Sequence, residues 1–181
     1  KIAVNEKITA DPDALHLIAQ KADGALRDSL SIFDQIVSFS GNNLTYQAVL
    51  DNLNILDYDY FFKAVDFSNE ANIPGALVLF NEVMDKGFDG HQFIVGLAEH
   101  YRNLLVCKDP QTKELLEVGE NIQQKYIEQS KSVDVHSILR ALNALSKADV
   151  DYKSSKNQRL LVELTLMQLC SIKEEAEKKK A

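Results

Sequence analysis

The chain has 181 residues, 45% apolar and 26% charged, which is enough to bury a core as one ordinary domain or as two small ones. Its net charge of −7 argues against a broad nucleic-acid surface, because holding a duplex through its phosphates requires clustered Lys and Arg. No apolar run is long enough for a membrane span, no secretory segment opens the chain, and Cys107 and Cys170 each end an apolar helical run rather than build a disulfide framework. The expectation is an all-α, cytoplasmic protein that, opening on Lys rather than Met, reads as part of something longer.

After a short lead-in over 1–10, Asp11-Pro12 starts a first helix through Ala14, Leu15, Ile18, Ala19 and Ala22. A second helix is predicted from Asp23 or Gly24 as N-cap, with Leu26, Leu30, Phe33 and Val37 at helical spacing and a stop at Ser40-Gly41. Gly41-Asn42-Asn43 reads as a turn, and Thr45 caps a third helix through Ala48, Val49 and Leu53. These helices make a small bundle, and Ile55-Leu56-Asp57 reads as the junction to a second unit. The predicted division is therefore 1–54 and 55–181.

In the second unit, Asp57 or Asp59 caps a helix carrying Phe61, Phe62, Val65 and Phe67. Pro74 opens the next helix, striped by Leu77, Phe80 and Met84, and Gly87 closes it. From Asp89 a long helix aligns Ile94, Leu97, Ala98, Tyr101, Leu104 and Leu105 and runs to Asp109-Pro110. Shorter helices follow near 112–116 and 120–130. The segment 134–148 places Val135, Ile138, Leu139, Leu142 and Leu145 on one face, and 153–157 reads as a connection. From Leu160 to Cys170 the last helix is apolar nearly all round, as in a helix enclosed by others or by other subunits. The charged end from Lys173 to Ala181 reads as a solvated helix end or the start of a linker.

Chemistry is sparse. None of the 7 glycines opens a Gly-x4-Gly-Lys-Ser/Thr phosphate loop, so the chain cannot hydrolyse nucleotide by that route on its own. His91 and His100 fall on opposite faces of one helix; His100 and Cys107 share a face but lack a third ligand, so no metal site is assigned. Asp57 and Asp59 fit capping better than acid–base work, and no Ser-His-Asp or Cys-His grouping can be assembled, so no catalytic residue is assigned. The informative residue is Arg27, which falls at about the third or fourth position of its predicted helix. That end of a helix is already electropositive, and a cation there costs roughly 0.3–1 kcal/mol. A phosphate in front of the helix would reverse the sign.

The run Ala22-Asp23-Gly24-Ala25-Leu26-Arg27-Asp28-Ser29-Leu30-Ser31-Ile32-Phe33-Asp34-Gln35 resembles the sensor-2 helix of the bacterial DNA polymerase III gamma/tau family, the AAA+ ATPases of the replicative clamp loader. Lys86-Gly87-Phe88-Asp89, the run Leu97-Ala98-Glu99-His100-Tyr101-Arg102-Asn103-Leu104-Leu105, and Asn157-Gln158-Arg159-Leu160-Leu161-Val162-Glu163 resemble that family's collar in order and spacing. The resemblance implies a three-helix AAA+ lid followed by a larger helical collar that assembles the loader ring. It implies that Arg27 contacts the terminal phosphate of ATP, with Gly24 and Asp28 in support. ATP with Mg would be held mainly by an N-terminal ATPase domain outside this sequence, and none is expected on this chain alone. The implied partners are that domain, the delta, delta-prime and further gamma/tau subunits and, through the complex, the sliding clamp and DNA; a membrane is not among them. Two other readings are a helical protein-interaction module in which Arg27 is an ordinary surface residue, and the lid of a different AAA+ protein. Motor lids of the latter kind continue into a stranded winged domain, whereas this chain continues in helices.

Overall fold

A computed structural model describes residues 2–178, with side-chain environments for 3–173, and the chain divides into two units. Unit 1 comprises Lys1–Ile55 together with Leu116–Lys125, and unit 2 comprises Leu56–Leu115 and Tyr126–Ala181.

Unit 1 opens with a short helix, α1 (Ile2–Asn5), where the sequence predicts only a lead-in. A two-residue strand, β1 (Thr9–Ala10), then pairs in parallel with β2 (Asn43–Leu44), and Asp11 N–H donates to the Leu44 carbonyl at 3.0 Å. Helical periodicity does not announce this pairing. Helix α2 (Pro12–Lys21) carries Pro at its start and is capped by Asp11, whose carboxylate accepts from Asp13 N–H at 3.0 Å. Helix α3 spans Leu26–Ser40, and α4 (Tyr46–Leu53) is capped by Thr45, which accepts from Ala48 N–H at 3.1 Å. Ala14, Leu17, Ile18, Phe33, Ile36, Leu44, Val49 and Leu50 form the core, with α2 packed on both α3 and α4. Leu15 and Ala19, placed on the buried face by sequence, are exposed, because Leu17 occupies that face instead.

Unit 2 begins with α5 (Tyr58–Asn69), capped by Asp57, which accepts from Asp59 N–H at 3.0 Å. Helix α6 (Ile73–Asp85) is capped by Asn72, and Gly87 behind it takes a left-handed φ of 87°. Helix α7 (Gly90–Val106), capped by Asp89, buries Phe93, Ile94, Leu97, His100, Tyr101 and Leu104. A single 3₁₀ turn at Lys113–Leu115 is followed by α8 (Glu120–Ser132), α9 (Val135–Tyr152) and α10 (Gln158–Lys178). Helix α7 packs most extensively on α9, and α10 lies against α9, α5, α6 and α7.

The stripe predicted for α9 is rotated in the structure. Ile138 and Leu145 are buried, but their neighbours on that face are Ala141, Ala144 and Ala148, while Val135 and Leu139 face outward. Small side chains line this buried face, which α7 and α10 cover, and alanine permits a close helix approach that leucine does not. Helix α10 buries Val162, Thr165, Leu166, Leu169 and Cys170 yet leaves Leu160 and Leu164 exposed at 44% and 53%. Beyond Lys173, the side chains of the charged end lie outside the described residues.

An aromatic row fills the space between α5, α6 and α7: Phe61 stacks on Phe93 at 5.9 Å, and Phe93 meets Phe80 at 5.5 Å. Gly96 lies against that row, where an added Cβ would overlap Phe61 Cζ and stand 2.9 Å from its Cε1. Phe61 is buried, with its ring held against Phe93 and His100. Gly96→Val is therefore expected to destabilise the fold by about 1–3 kcal/mol through overpacking. The check is the urea midpoint, which should fall at unchanged slope; an unchanged midpoint would show that the row yields.

Candidate functional site

The turn between α2 and α3 is built from unusual backbone. Ala22 N–H closes on the Ile18 carbonyl at 3.0 Å and Asp23 N–H on the Gln20 carbonyl at 3.2 Å; Asp23 and Gly24 then take left-handed φ values of 48° and 76°. Asp tolerates that region better than most residues, and Gly24 adopts it without penalty in open space, with nothing within 4 Å of where a Cβ would stand. The chain re-enters an extended conformation only at Ala25, at φ −78° and ψ 111°, which becomes the N-cap.

This corrects the predicted cap. The turn uses Asp23 and Gly24, so α3 starts later than expected and Arg27 sits at its second position. Leu26, predicted on the apolar stripe, is 72% exposed, because the first turn stands clear of the core that Phe33 and Ile36 enter.

Ala25 has no side-chain acceptor, so no side chain caps α3. Helices α2, α4, α5, α6, α7 and α9 are each capped by an Asp, Asn or Thr side chain. The first-turn N–H groups of α3 thus lack a side-chain acceptor, at the positive end of the macrodipole and among the exposed residues 25–28. Arg27 is exposed, and among the described residues no hydrogen bond or ion pair engages it. Asp28 beside it is also exposed and supplies the acidic residue of the first turn. Ser29 turns back, its hydroxyl donating to the Ala25 carbonyl at 3.0 Å. Open amides together with an unengaged guanidinium form a donor set suited to phosphate oxygens, which Arg can meet with two parallel hydrogen bonds.

The other candidates have structural partners. His91 Nε2 lies 2.5 Å from Asp149 and its ring stacks on Tyr152 at 5.0 Å. His100 is buried among Phe61, Phe62 and Tyr126. Gln129 uses its amide hydrogens on the Phe62 carbonyl and on Asp66, at 2.8 and 2.7 Å. Its oxygen therefore accepts from His100 Nε2 at 2.8 Å, and His100 Nδ1 is a buried acceptor without a partner. Among the described residues no group of three His, Cys, Asp or Glu could hold a metal ion, and no described helix is long and apolar enough to cross a membrane.

A feature the sequence did not reveal is the return of residues 116–125 to unit 1. Asn121 Nδ2 donates to Asp13 Oδ2 at 2.8 Å across 108 residues, and no periodicity or motif marks either side chain.

The chain is built from two helical units, one of them bearing an exposed arginine in an uncapped first turn, and comparison with known proteins gives the family. Residues 1–42 match the family described as DNA polymerase III clamp loader subunit, ATPase lid domain, and residues 44–181 match DNA polymerase III subunits gamma and tau domain III. The chain belongs to the DNA polymerase III gamma/tau family, as the resemblance of its sequence motifs implied. It is 25% identical over 170 residues to DNA polymerase III subunit tau of Bacillus subtilis, covering 94% of this chain and 30% of that protein. It is 36% identical over 90 residues to DNA polymerase III subunit tau of Escherichia coli, covering 50% and 14%. The chain thus spans under a third of these relatives. The Bacillus subtilis DNA clamp loader delta protein shares the fold, with a TM-score of 0.58 at 17% identity over 93% of this chain and 53% of that one.

Burial holds His100 well below its ordinary value of 6.5, at about 4, although the bond to Gln129 opposes the shift. The folded pKa is below the unfolded one, so the unfolded chain binds more protons between those values. The contribution to stability is complete above about pH 6.5 and is lost as the pH falls toward 4, by up to about 3 kcal/mol. Urea midpoints measured at pH 7 and pH 4.5 should differ less in His100→Gln than in the parent; equal pH sensitivity of the two would contradict this assignment.

Proposed function

We propose that this chain is the nucleotide-sensing lid and the ring-forming collar of a clamp-loader subunit that places the sliding clamp on DNA during replication. The observation that carries the reading is the exposed, unengaged Arg27 in the uncapped first turn of α3. ATP with Mg would be held mainly by an N-terminal ATPase domain, and would supply the terminal phosphate and the energy of its hydrolysis. Arg27 would bind oxygens of that phosphate, with the open amides of the same turn adding weaker bonds. Gly24 lets the turn adopt its left-handed form, and Asp28 offsets the charge of the first turn. A diphosphate leaves the guanidinium without this partner, so the lid's position follows the difference in affinity between the two nucleotide states.

The functional division proposed is a lid over 1–54 and a collar over 55–181, working in the cytoplasm, where the replication machinery of a bacterium acts. The collar's partners would be the delta, delta-prime and further gamma/tau subunits. Leu160 and Leu164 on α10 and Val135 and Leu139 on α9 are large apolar side chains left exposed, as expected of a surface that other subunits cover.

In the intact subunit, Arg27→Ala should weaken ATP-dependent clamp loading about 10- to 100-fold, as for loss of a charge-assisted contact. Its folding stability should change by no more than about 0.5 kcal/mol, as for exposed sites. Unaltered loading would remove the sensing role. Separately, Leu160→Glu with Leu164→Glu should leave the monomer folded while lowering its incorporation into the loader, read by sedimentation velocity; normal assembly would exclude that face.

A further inference from the structure

Residues 116–125 lie in sequence between two stretches of unit 2, yet fold as part of unit 1, where they grip α2 at both ends. In the first turn of α2, Asp13 accepts from Asn121 at 2.8 Å; near its last turn, Gln20 Nε2 donates to the Glu117 carbonyl at 3.3 Å. Between these bonds Gly119 passes so close that a Cβ there would overlap Asp13 Oδ1 and stand 3.1 Å from Asp13 Cγ. A side chain at 119 would have to displace the Asp13 carboxylate, and with it the acceptor of the Asn121 bond. Leu116 and Ile122, on either side, are buried. The bonded residues are 97 and 108 positions apart, so local chain stiffness does not bring them together.

Helix α2 leads straight into the site. Four residues after α2 ends, the turn closed by Ala25 N–H on the Ala22 carbonyl at 2.9 Å delivers the chain to the mouth of α3. Whatever fixes both ends of α2 therefore fixes the attitude of that mouth. The same segment runs on into α8, whose first residues, Glu120 to Lys125, belong to unit 1 and whose remainder, from Tyr126, belongs to unit 2.

We propose that residues 116–125 form a strap that positions α2, and through it Arg27, for the terminal phosphate. Asp13, Asn121 and Gly119 are positioning residues of this device. A short helix is stiff, so displacement of its first turn is not absorbed within the next one or two. The inference rests on the reading of Arg27 as the phosphate contact.

The experiment uses the full-length subunit in its assembled loader and records clamp loading against ATP concentration. Asn121→Ala removes the bond to Asp13 from an exposed position; it should raise the half-saturating ATP concentration about three- to tenfold, as for loss of a hydrogen bond to a charged group, with the maximal rate kept. The reciprocal pair Asp13→Asn with Asn121→Asp re-forms the bond in the opposite sense and should restore the parent value, which a merely destabilised protein would not do. Arg27→Ala is measured alongside. If Arg27→Ala impairs loading while Asn121→Ala leaves the half-saturating concentration unchanged, the strap proposal alone is overturned; if Arg27→Ala has no effect, the reading beneath it fails and the proposal with it. Asp13→Cys with Gly119→Cys provides a second check, since the approach at Gly119 lies within reach of a disulfide. Closure on mild oxidation, read as protection from alkylation, is expected, and failure to close would overturn the strap's placement.

Discussion

Close packing around α7 organises unit 2. The helix packs most extensively on α9, whose buried face carries Ala141, Ala144 and Ala148, and approaches α5 and α6 through Gly96 and the aromatic row of Phe61, Phe93 and Phe80. Interiors packed this densely do not deform continuously. His100 extends the same logic to a polar group: with one ring nitrogen bonded to Gln129 and the other enclosed without a partner, it is held neutral by its surroundings. That network also holds the second half of α8, since Gln129 bonds on to Phe62 and Asp66, and Lys108 bonds the Ser130 carbonyl.

Unit 1 shows the opposite treatment of a helix end. A side-chain cap contributes about 1 kcal/mol, and an arginine in the first turn opposes the dipole by roughly 0.3–1 kcal/mol more. Helix α3 lacks the cap and carries the arginine, although the chain caps α2 and α4 on either side with Asp11 and Thr45. Local stability is withheld where an anion would supply it. On the function proposed above, an arginine that binds only in the presence of a third phosphate would turn that deficit into a difference between nucleotide states, which is the requirement for moving a lid.

Much of the helical framework was legible because its signals are local. Asp57, Asp89, Asp134 and Thr45 cap where polar residues precede an apolar stripe, and Pro74 with Gly87 bracket α6. The failures have common physical causes. Asp23 and Gly24 look like caps in sequence, but a residue in the left-handed region cannot also cap, and only backbone geometry separates the two uses. On α9 the pattern of large apolar residues pointed to Val135 and Leu139, whereas the buried face is built largely of small alanines that such a pattern passes over. The parallel pairing of Thr9–Ala10 with Asn43–Leu44 and the contact of Asp13 with Asn121 depend on segments distant in the chain, for which a single sequence carries no periodic signal. Of the site, Arg27 was legible as a cation in an unfavourable place; the emptiness of its surroundings was not.

Whether Arg27 distinguishes a triphosphate from a diphosphate can be read by calorimetric titration of ATP and of ADP into the intact loader, for the parent and for Arg27→Ala. The variant should lose affinity for ATP about tenfold or more, while its affinity for ADP is essentially unchanged. Equal losses for both nucleotides, or no loss for either, would mean that the guanidinium does not sense the third phosphate.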